Sequence, residues 1–227
     1  MTFTRYAIYF APPAGVEWVK FATSWLGWDM ETGQAVAHPA IDDVDVSDIT
    51  EVPRKYGLHA TMKPPFRLRD GQSVAALKDA CAALAAHQTP VTLDGLEIAR
   101  LGRFLALCPV GDTTALNALA ASCVCDLDAF RAPAPEAELA RRREAGLSPK
   151  QEVNLTQWGY PYVMEAFRFH ITLSGKLDKP TLAQVQSTLD ARLAPLLPRP
   201  FHIADLALMG EAEDGRFHLI HRYALSG

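Results

Sequence analysis

Two short segments of the chain carry histidine and threonine at the same spacing. Leu58–Met62 reads LHATM and Phe169–Leu173 reads FHITL. Because side chains of a β-strand alternate between its two faces, each segment predicts a strand with imidazole and hydroxyl on one face and apolar groups on the other. Imidazole can act as acid or base near neutral pH, and hydroxyls can donate to phosphate oxygens. Two such strands facing each other would suit acid–base catalysis at one phosphate.

Five further residues near the motifs are candidate substrate contacts. Alternation predicts that Lys63 on the first strand, and Arg168 and Ser174 on the second, share the histidine face. Lys63 and Ser174 could equally be plain surface residues, and Arg168 could pair with a carboxylate. Tyr160 and Tyr162 could stack on a base or simply pack against the protein.

Neither motif strand places a carboxylate beside its histidine, so the sequence predicts no metal site and no cofactor. The four cysteines are Cys81, Cys108, Cys123 and Cys125. Their spacing does not resemble a zinc site, which favours buried free thiols in a reducing cytoplasm.

Composition and charge restrict the class of protein. The chain has 227 residues, 49% of them hydrophobic, and a formal net charge of −4. That charge argues against general coating of nucleic acid, which needs many phosphate contacts. Apolar runs are short, which predicts no membrane span. The first residues, MTFTRYAIYFAPPAG, predict a strand and not a signal peptide, so we expect a cytoplasmic protein.

The elements that must position the motifs occur twice. A strand, a helix, the motif strand, a second helix and further strand residues are predicted at about 3–100 and again at about 103–209. This layout predicts an α+β fold made by duplication, with two antiparallel-type sheets, helices outside and a central cleft. We expect a single bilobal domain over 1–227 with pseudo-twofold symmetry.

Two segments interrupt the repeat. Residues 31–51 are acidic and contain a proline, which predicts a solvated connection. Residues 132–162 begin with Pro133 and Pro135 and predict an inserted helical hairpin. A long insertion before the second motif is either a lid or substrate wall, or a packed surface hairpin.

Three segments together resemble a known family. RYAIYFAPP, YGLHATMKPPFRL and WGYPYVMEAFRFHITLSGKL are similar to the two-histidine (2H) phosphoesterase superfamily, in the branch encoded beside genes for phosphonate breakdown. The resemblance implies a bilobal α+β fold and metal-independent phosphodiester chemistry. It implies His59, Thr61, His170 and Thr172 as the catalytic residues.

These observations leave three functional classes open. The first is a phosphodiesterase acting on a cyclic or linear diester of a small ribose or nucleotide compound, and the resemblance suggests a phosphonate-breakdown intermediate. The second is an RNA-end enzyme, a 2′,3′-cyclic phosphodiesterase or a 2′-5′ ligase-like protein, which the low positive charge disfavours. The third is a non-catalytic nucleotide- or phosphate-binding regulator. We expect a small phosphorylated substrate as partner, and the sequence does not decide which histidine is the base.

Overall fold

The computed structural model describes residues 2–227 and has an α+β fold with antiparallel strands, as predicted. The strands are β1 (Arg5–Phe10), β2 (Trp28–Asp29), β3 (Gln34–Ala35), β4 (Ala60–Phe66), β5 (Val91–Leu93), β6 (Gly95–Leu101), β7 (Phe104–Val110), β8 (Ile171–Thr172), β9 (Phe201–Ile203), β10 (Asp205–Glu211) and β11 (Phe217–Ala224). The α-helices are α1 (Glu17–Leu26), α2 (Val46–Ile49), α3 (Glu51–Arg54), α4 (Val74–Ala86), α5 (Thr114–Asp126), α6 (Glu136–Arg143), α7 (Pro149–Trp158) and α8 (Lys179–Arg192).

The main sheet has seven strands in the order β11-β10-β1-β4-β8-β7-β6. The two predicted sheets are thus joined edge to edge. The junction is the short antiparallel pair between the motif strands β4 and β8, in which Ala60 lies opposite Ile171. The two histidine motifs therefore lie on neighbouring strands in the middle of the sheet.

Strand order is the same on both sides of this junction. Moving outward, β4 is followed by β1 and β10, and β8 is followed by β7 and β6. In the predicted repeat, β1 corresponds to β7 and β10 corresponds to β6. The half that contains β1 and β4 of the first repeat thus also contains β10 of the second repeat. The half that contains β7 and β8 of the second repeat contains β6 of the first. Strands β5 and β9, which also correspond, pair with each other. This order agrees with a pseudo-twofold relation, and the origin by duplication remains our interpretation.

The predicted apolar faces form the core. Leu58, Ala60 and Met62 are buried on the first motif strand, as are Ile171 and Leu173 on the second. Four long helices, α1, α4, α5 and α8, contribute buried residues to the same core cluster. Helix starts follow from local sequence. The Ser73 side chain caps α4 as predicted, and Asp178 caps α8 with Pro180 in its first turn.

The interrupting segments are more ordered than the sequence suggested. Residues 31–51 contain the short helix α2 and the start of α3, and they bury Val46 and Ile49. The predicted helical hairpin at 132–162 is present as α6 and α7. Helix α7 begins with a capping box between Ser148 and Gln151.

Within residues 2–227, no helix combines the length and the apolar character needed to cross a membrane. All four cysteines are free thiols. Cys81 and Cys123 are buried as predicted, but Cys125 is exposed at the end of α5. The prediction of burial is wrong for Cys125.

Candidate active site

The register between β4 and β8 brings the two motifs together. Because Ala60 lies opposite Ile171 in an antiparallel pair, His59 lies across from Thr172 and Thr61 lies across from His170. The two histidines are then diagonal neighbours on one face, at the ~7–8 Å Cα separation that sheet geometry gives such pairs.

Both imidazoles are held in the same way. Nδ1 of His59 is 3.0 Å from the Gly57 carbonyl oxygen, and Nδ1 of His170 is 2.8 Å from the Arg168 carbonyl oxygen. Each partner is two residues before its histidine. A carbonyl only accepts, so Nδ1 carries the hydrogen in both rings. The neutral form of each ring therefore presents the Nε2 lone pair, and in His59 this atom lies 3.3 Å from the Thr61 hydroxyl.

His59 is packed against two tyrosines. Its ring centroid is 4.0 Å from that of Tyr9 and 5.7 Å from that of Tyr56. Part of the imidazole stays accessible, but this environment removes water from most of the ring. Burial lowers the pKa of His59 to about 4; the Gly57 carbonyl opposes this effect, and the nearby His170 adds to it. His59 is therefore neutral near pH 7.

His170 has a different environment. Its ring lies 5.9 Å from the ring of Phe104 and is only partly buried. The strand that follows it is also short, because β8 has two residues where β4 has seven. The strand predicted over Phe169–Leu173 is thus limited to its centre, although the Leu173 N–H still donates to the Leu105 carbonyl of β7.

A basic cavity of about 470 Å³ lies on one side of the motifs. Its lining includes His59, Thr61 and Thr172 together with Tyr9, Tyr56, Tyr160 and the cationic residues Arg5, Lys55, Arg141 and Arg142. Arg141 and Arg142 come from helix α6. The insertion at 132–162 therefore contributes to the lining of this cavity, and its role as a lid or substrate wall stays a prediction.

A second, mostly apolar cavity of about 220 Å³ also borders the motifs. It shares His59, Thr172 and Tyr56 with the basic cavity and adds Val52 and Phe104. His59 and Thr172 thus lie where the basic cavity and the apolar cavity meet, whereas His170 is not among the residues that line either of the two cavities.

Lys63 does not face the cleft, so its predicted position is wrong. Its side chain is 2% exposed, and Nζ donates to the Val124 carbonyl of α5 at 2.9 Å. Asp128 lies 3.6 Å away. The cause is the irregular register of β4 against β1, because an extra residue reverses the face on which the following side chains lie. Burial lowers the pKa of Lys63 to about 8, with Asp128 opposing that shift.

The side chains of Ser174 and Arg168 both form hydrogen bonds with backbone groups. The buried Ser174 hydroxyl accepts from the Leu105 N–H and donates to the Gly175 carbonyl, each at 3.0 Å, although the residue also borders the apolar cavity. Among residues 2–227, no carboxylate forms an ion pair with Arg168. Its guanidinium donates to the carbonyls of Phe167, at 2.6 Å, and Glu165. The single hydroxyl hydrogen of Ser174 is thus used by the Gly175 carbonyl, and Nη1 of Arg168 is used by backbone carbonyls.

The two tyrosines of the insertion differ in position. Tyr160 lines the basic cavity, with the Arg142 guanidinium 4.7 Å from its ring centroid. Burial raises the pKa of Tyr160, so its hydroxyl keeps its proton near neutral pH. Tyr162 packs edge-on against Tyr160 and is 44% exposed.

Sequence reasoning missed the residues that surround His59. Tyr9 and Arg5 lie on one face of β1, and Tyr9 is opposite Thr61 in the β1–β4 pairing. Their alternation in RYAIYF was visible, but the pairing of β1 with β4 was not. Arg141 and Arg142 belong to the run RRR, the one local signal in the insertion that indicated a basic surface. Burial raises the pKa of Tyr9 well above its usual range.

The model of one protein family matches residues 61–218, more than two thirds of the chain. It is described as "Protein of unknown function (DUF1045)". The chain belongs to this family. The matched range contains Thr61, His170 and Thr172, and His59 lies two residues before it.

Two curated relatives are longer proteins. The chain is 42% identical over 177 residues to "Ribose 1,5-bisphosphate phosphokinase PhnN" of Janthinobacterium sp. (strain Marseille), which covers 77% of the chain and 39% of the relative. It is 34% identical over 211 residues to a protein of the same name from Laribacter hongkongensis (strain HLHK9), which covers 93% of the chain and 49% of the relative. This member of the DUF1045 family thus spans less than half the length of either relative.

Solved structures with a similar arrangement include E. coli LigT complexed with 3′-AMP, at a TM-score of 0.46 and 17% identity over 100% of both chains. Another is TT0787 of Thermus thermophilus, at a TM-score of 0.42 and 15% identity over 98% of both chains. At these scores the likeness adds nothing to what the strand order and motif geometry of the chain already show.

Proposed function

We propose that this protein is a metal-independent phosphodiesterase of the two-histidine type that acts on a small ribose-containing diester. The observation that supports this most is the matched pair of imidazoles across the β4–β8 junction. Each has Nδ1 on the carbonyl two residues earlier, each has a threonine hydroxyl on its own strand, and the strand register puts both on one face.

In the proposed hydrolysis, His59 is the base and His170 is the acid. His59 suits the first role because it is neutral near pH 7, with the Nε2 lone pair available. Nε2 of His59 takes a proton from water as the water oxygen forms a bond to phosphorus. Nε2 of a protonated His170 gives its proton to the ester oxygen as the P–O bond breaks. The products are a phosphate monoester and an alcohol, and proton exchange with solvent then restores both rings.

Thr61 and Thr172 would hold the non-bridging phosphate oxygens. Each hydroxyl lies on the histidine face, and each lies across the strand junction from the other motif's histidine. Donors directed at the oxygens where charge develops are worth most in a site with little water. Tyr9, whose hydroxyl keeps its proton, is a further donor bordering the same cavity.

A ribose phosphate is the substrate class we favour. The two longer relatives carry the name of an enzyme acting on ribose 1,5-bisphosphate. A diesterase that opened a cyclic phosphate on ribose would leave a ribose monoester, which is the same class of compound. This would fit a phosphonate-breakdown intermediate, as the sequence resemblance implied.

A nucleotide or RNA end is the second candidate. The apolar cavity between Tyr56 and Phe104 favours it, because aromatic side chains can accept the face of a base. In that case the products would be nucleoside monophosphates from 2′,3′-cyclic phosphates or 2′-5′ linkages.

Phosphorus NMR on a substrate panel tests the proposal. The panel contains ribose 1,2-cyclic phosphate, nucleoside 2′,3′-cyclic phosphates and 2′-5′ dinucleotides, each incubated with and without EDTA. We expect conversion of the ribose cyclic diester to a monoester at equal rates in both conditions. Conversion of the nucleotides alone would support the second candidate, a nucleotide or RNA end, as the substrate class.

Two results would contradict the proposal. Activity that EDTA abolishes and a divalent ion restores would mean that metal chemistry operates at the site. Binding of the diesters without conversion of any of them would favour a non-catalytic regulator.

A further inference from the structure

The basic cavity contains more positive charge than one phosphodiester requires. Four cationic side chains line it, and among the described residues none of the lining side chains is a carboxylate. The whole chain has a net charge of −4, so the composition does not account for this concentration. A diester carries one negative charge, and the two motifs already supply groups to bind it.

Two of the four cations are already paired. Arg5 donates from Nη2 to Glu211 at 2.5 Å, and Arg142 donates from Nη2 to Glu138 at 2.6 Å. Within residues 2–227, the other two, Lys55 and Arg141, have no carboxylate oxygen within 4.0 Å. Both are exposed residues that line the cavity, and Nζ of Lys55 lies 5.3 Å from the ring centroid of Tyr56. Two uncompensated positive charges therefore remain beside the motifs.

Helix α6 is fixed in a position that holds Arg141 at the cavity. Arg143, at the end of α6, pairs with Glu136 at the start of the same helix. It also pairs with Glu152 of α7, which links the two helices. Arg142 stacks on Tyr160 and pairs with Glu138 within the helix. The neighbouring arginines thus hold the helix, and Arg141 alone of the three makes no ion pair with the described residues.

From these observations we infer that Lys55 and Arg141 form an anion subsite that binds a second, terminal phosphate monoester of the substrate. A monoester carries about −1.5 to −2 charges at pH 7, which matches two unpaired cations. The inference rests on the proposed function for the position of the diester at the histidines. It adds a specificity determinant: the enzyme selects a cyclic or linear diester that also carries a monoester.

The test compares two diesters that differ only in the monoester, ribose 1,2-cyclic phosphate with and without a 5-phosphate. Wild-type protein should show kcat/KM at least about tenfold higher for the 5-phosphorylated compound, since hydrogen bonds to charged groups are the stronger class. Arg141→Gln and Lys55→Gln should each reduce that preference several-fold, mainly through KM. The rate on the unphosphorylated diester should stay within about twofold.

Arg143→Gln is the matched control, because this residue lies on the same helix and is directed at Glu136 and Glu152. It should keep the preference. A wild-type protein with no preference, or an Arg141→Gln variant that loses activity equally on both compounds, would overturn the subsite.

Calorimetric binding of ribose 5-phosphate separates the two proposals. Binding that Arg141→Gln weakens, together with no turnover of any diester, would sustain the subsite and reject the phosphodiesterase. Turnover of the diesters without detectable binding of ribose 5-phosphate would support the phosphodiesterase and reject the anion subsite.

Discussion

The two motif strands have the same residues but different surroundings. Both hold an imidazole through the carbonyl two residues earlier. β4 is seven residues long, and the histidine just before it is packed against two tyrosines. β8 has two residues, and its histidine contacts one phenylalanine. The comparison teaches that a repeated motif can supply the same two groups in different surroundings, and that burial lowers the pKa of His59.

The largest expected effect comes from removing either imidazole. His59→Ala and His170→Ala should each lower kcat by about 10²–10⁴, the usual worth of a positioned acid or base. KM should change much less, because Thr61 and Thr172 would still bind the phosphate. Steady-state kinetics with circular dichroism to confirm folding would check this. If His170→Ala were fully active, the second motif would have a structural role, and the mechanism with two histidines would be wrong.

The pH dependence of kcat/KM should show the asymmetry. The base must be neutral, so activity should fall on the acid side only near the His59 pKa of about 4, and not near the ordinary value of 6.5. Tyr56→Leu exposes the ring to more water, which should move this acid limb to higher pH. An acid limb near 6.5 in the wild type, unmoved in the variant, would reject the assignment of His59 as base.

Protein stability should report the same group. Between about pH 4 and 6.5, His59 is mostly neutral in the folded protein but increasingly protonated in the unfolded chain. The unfolded state therefore binds more protons, so the free energy of unfolding should fall as pH falls through that range. The loss attributable to His59 is at most about 3 kcal/mol, reduced because the ring is partly accessible. Urea unfolding at pH 4.5 and 7 should show a smaller difference in His59→Asn than in wild type.

For this measurement, the exposed His87 offers a matched control. His87→Asn should retain the wild-type dependence on pH. Equal slopes in wild type and His59→Asn would mean that His59 titrates alike in both states.

Substitutions of hydroxyl side chains should have the smallest effects on activity. They distinguish the role of Thr172 from that of Ser174, two residues further along the chain. Thr172→Val should lower kcat/KM by about tenfold, because it removes one donor to a charged phosphate. Ser174→Ala should change kcat/KM by less than about threefold but destabilise the protein by about 1–3 kcal/mol, since the buried Leu105 N–H loses its acceptor. Kinetics and urea unfolding of both variants would check this, and the reverse pattern would place Ser174 at the phosphate.

Local sequence was sufficient to predict the motif strands, their buried faces, the main helices and the helical hairpin. Alternation failed at Lys63 because the irregular pairing of β4 with β1 reverses the face, and that pairing depends on a partner more than fifty residues away. The hydrogen bonds of the Arg168 guanidinium to nearby backbone carbonyls are a detail that alternation does not address. Tyr9 and Arg141 reach the site only through tertiary packing, so no local pattern could assign them to it.

The central claim is that His59 and His170 act as one unit on one phosphate, and a double-mutant cycle tests it most directly. His59→Gln, His170→Gln and the double variant would be compared with wild type by kcat/KM on the preferred cyclic diester. Residues that act as a unit are strongly non-additive, so the double variant should be little worse than the worse single variant. Losses that multiply in the double variant would show two independent contributions and would contradict the shared site.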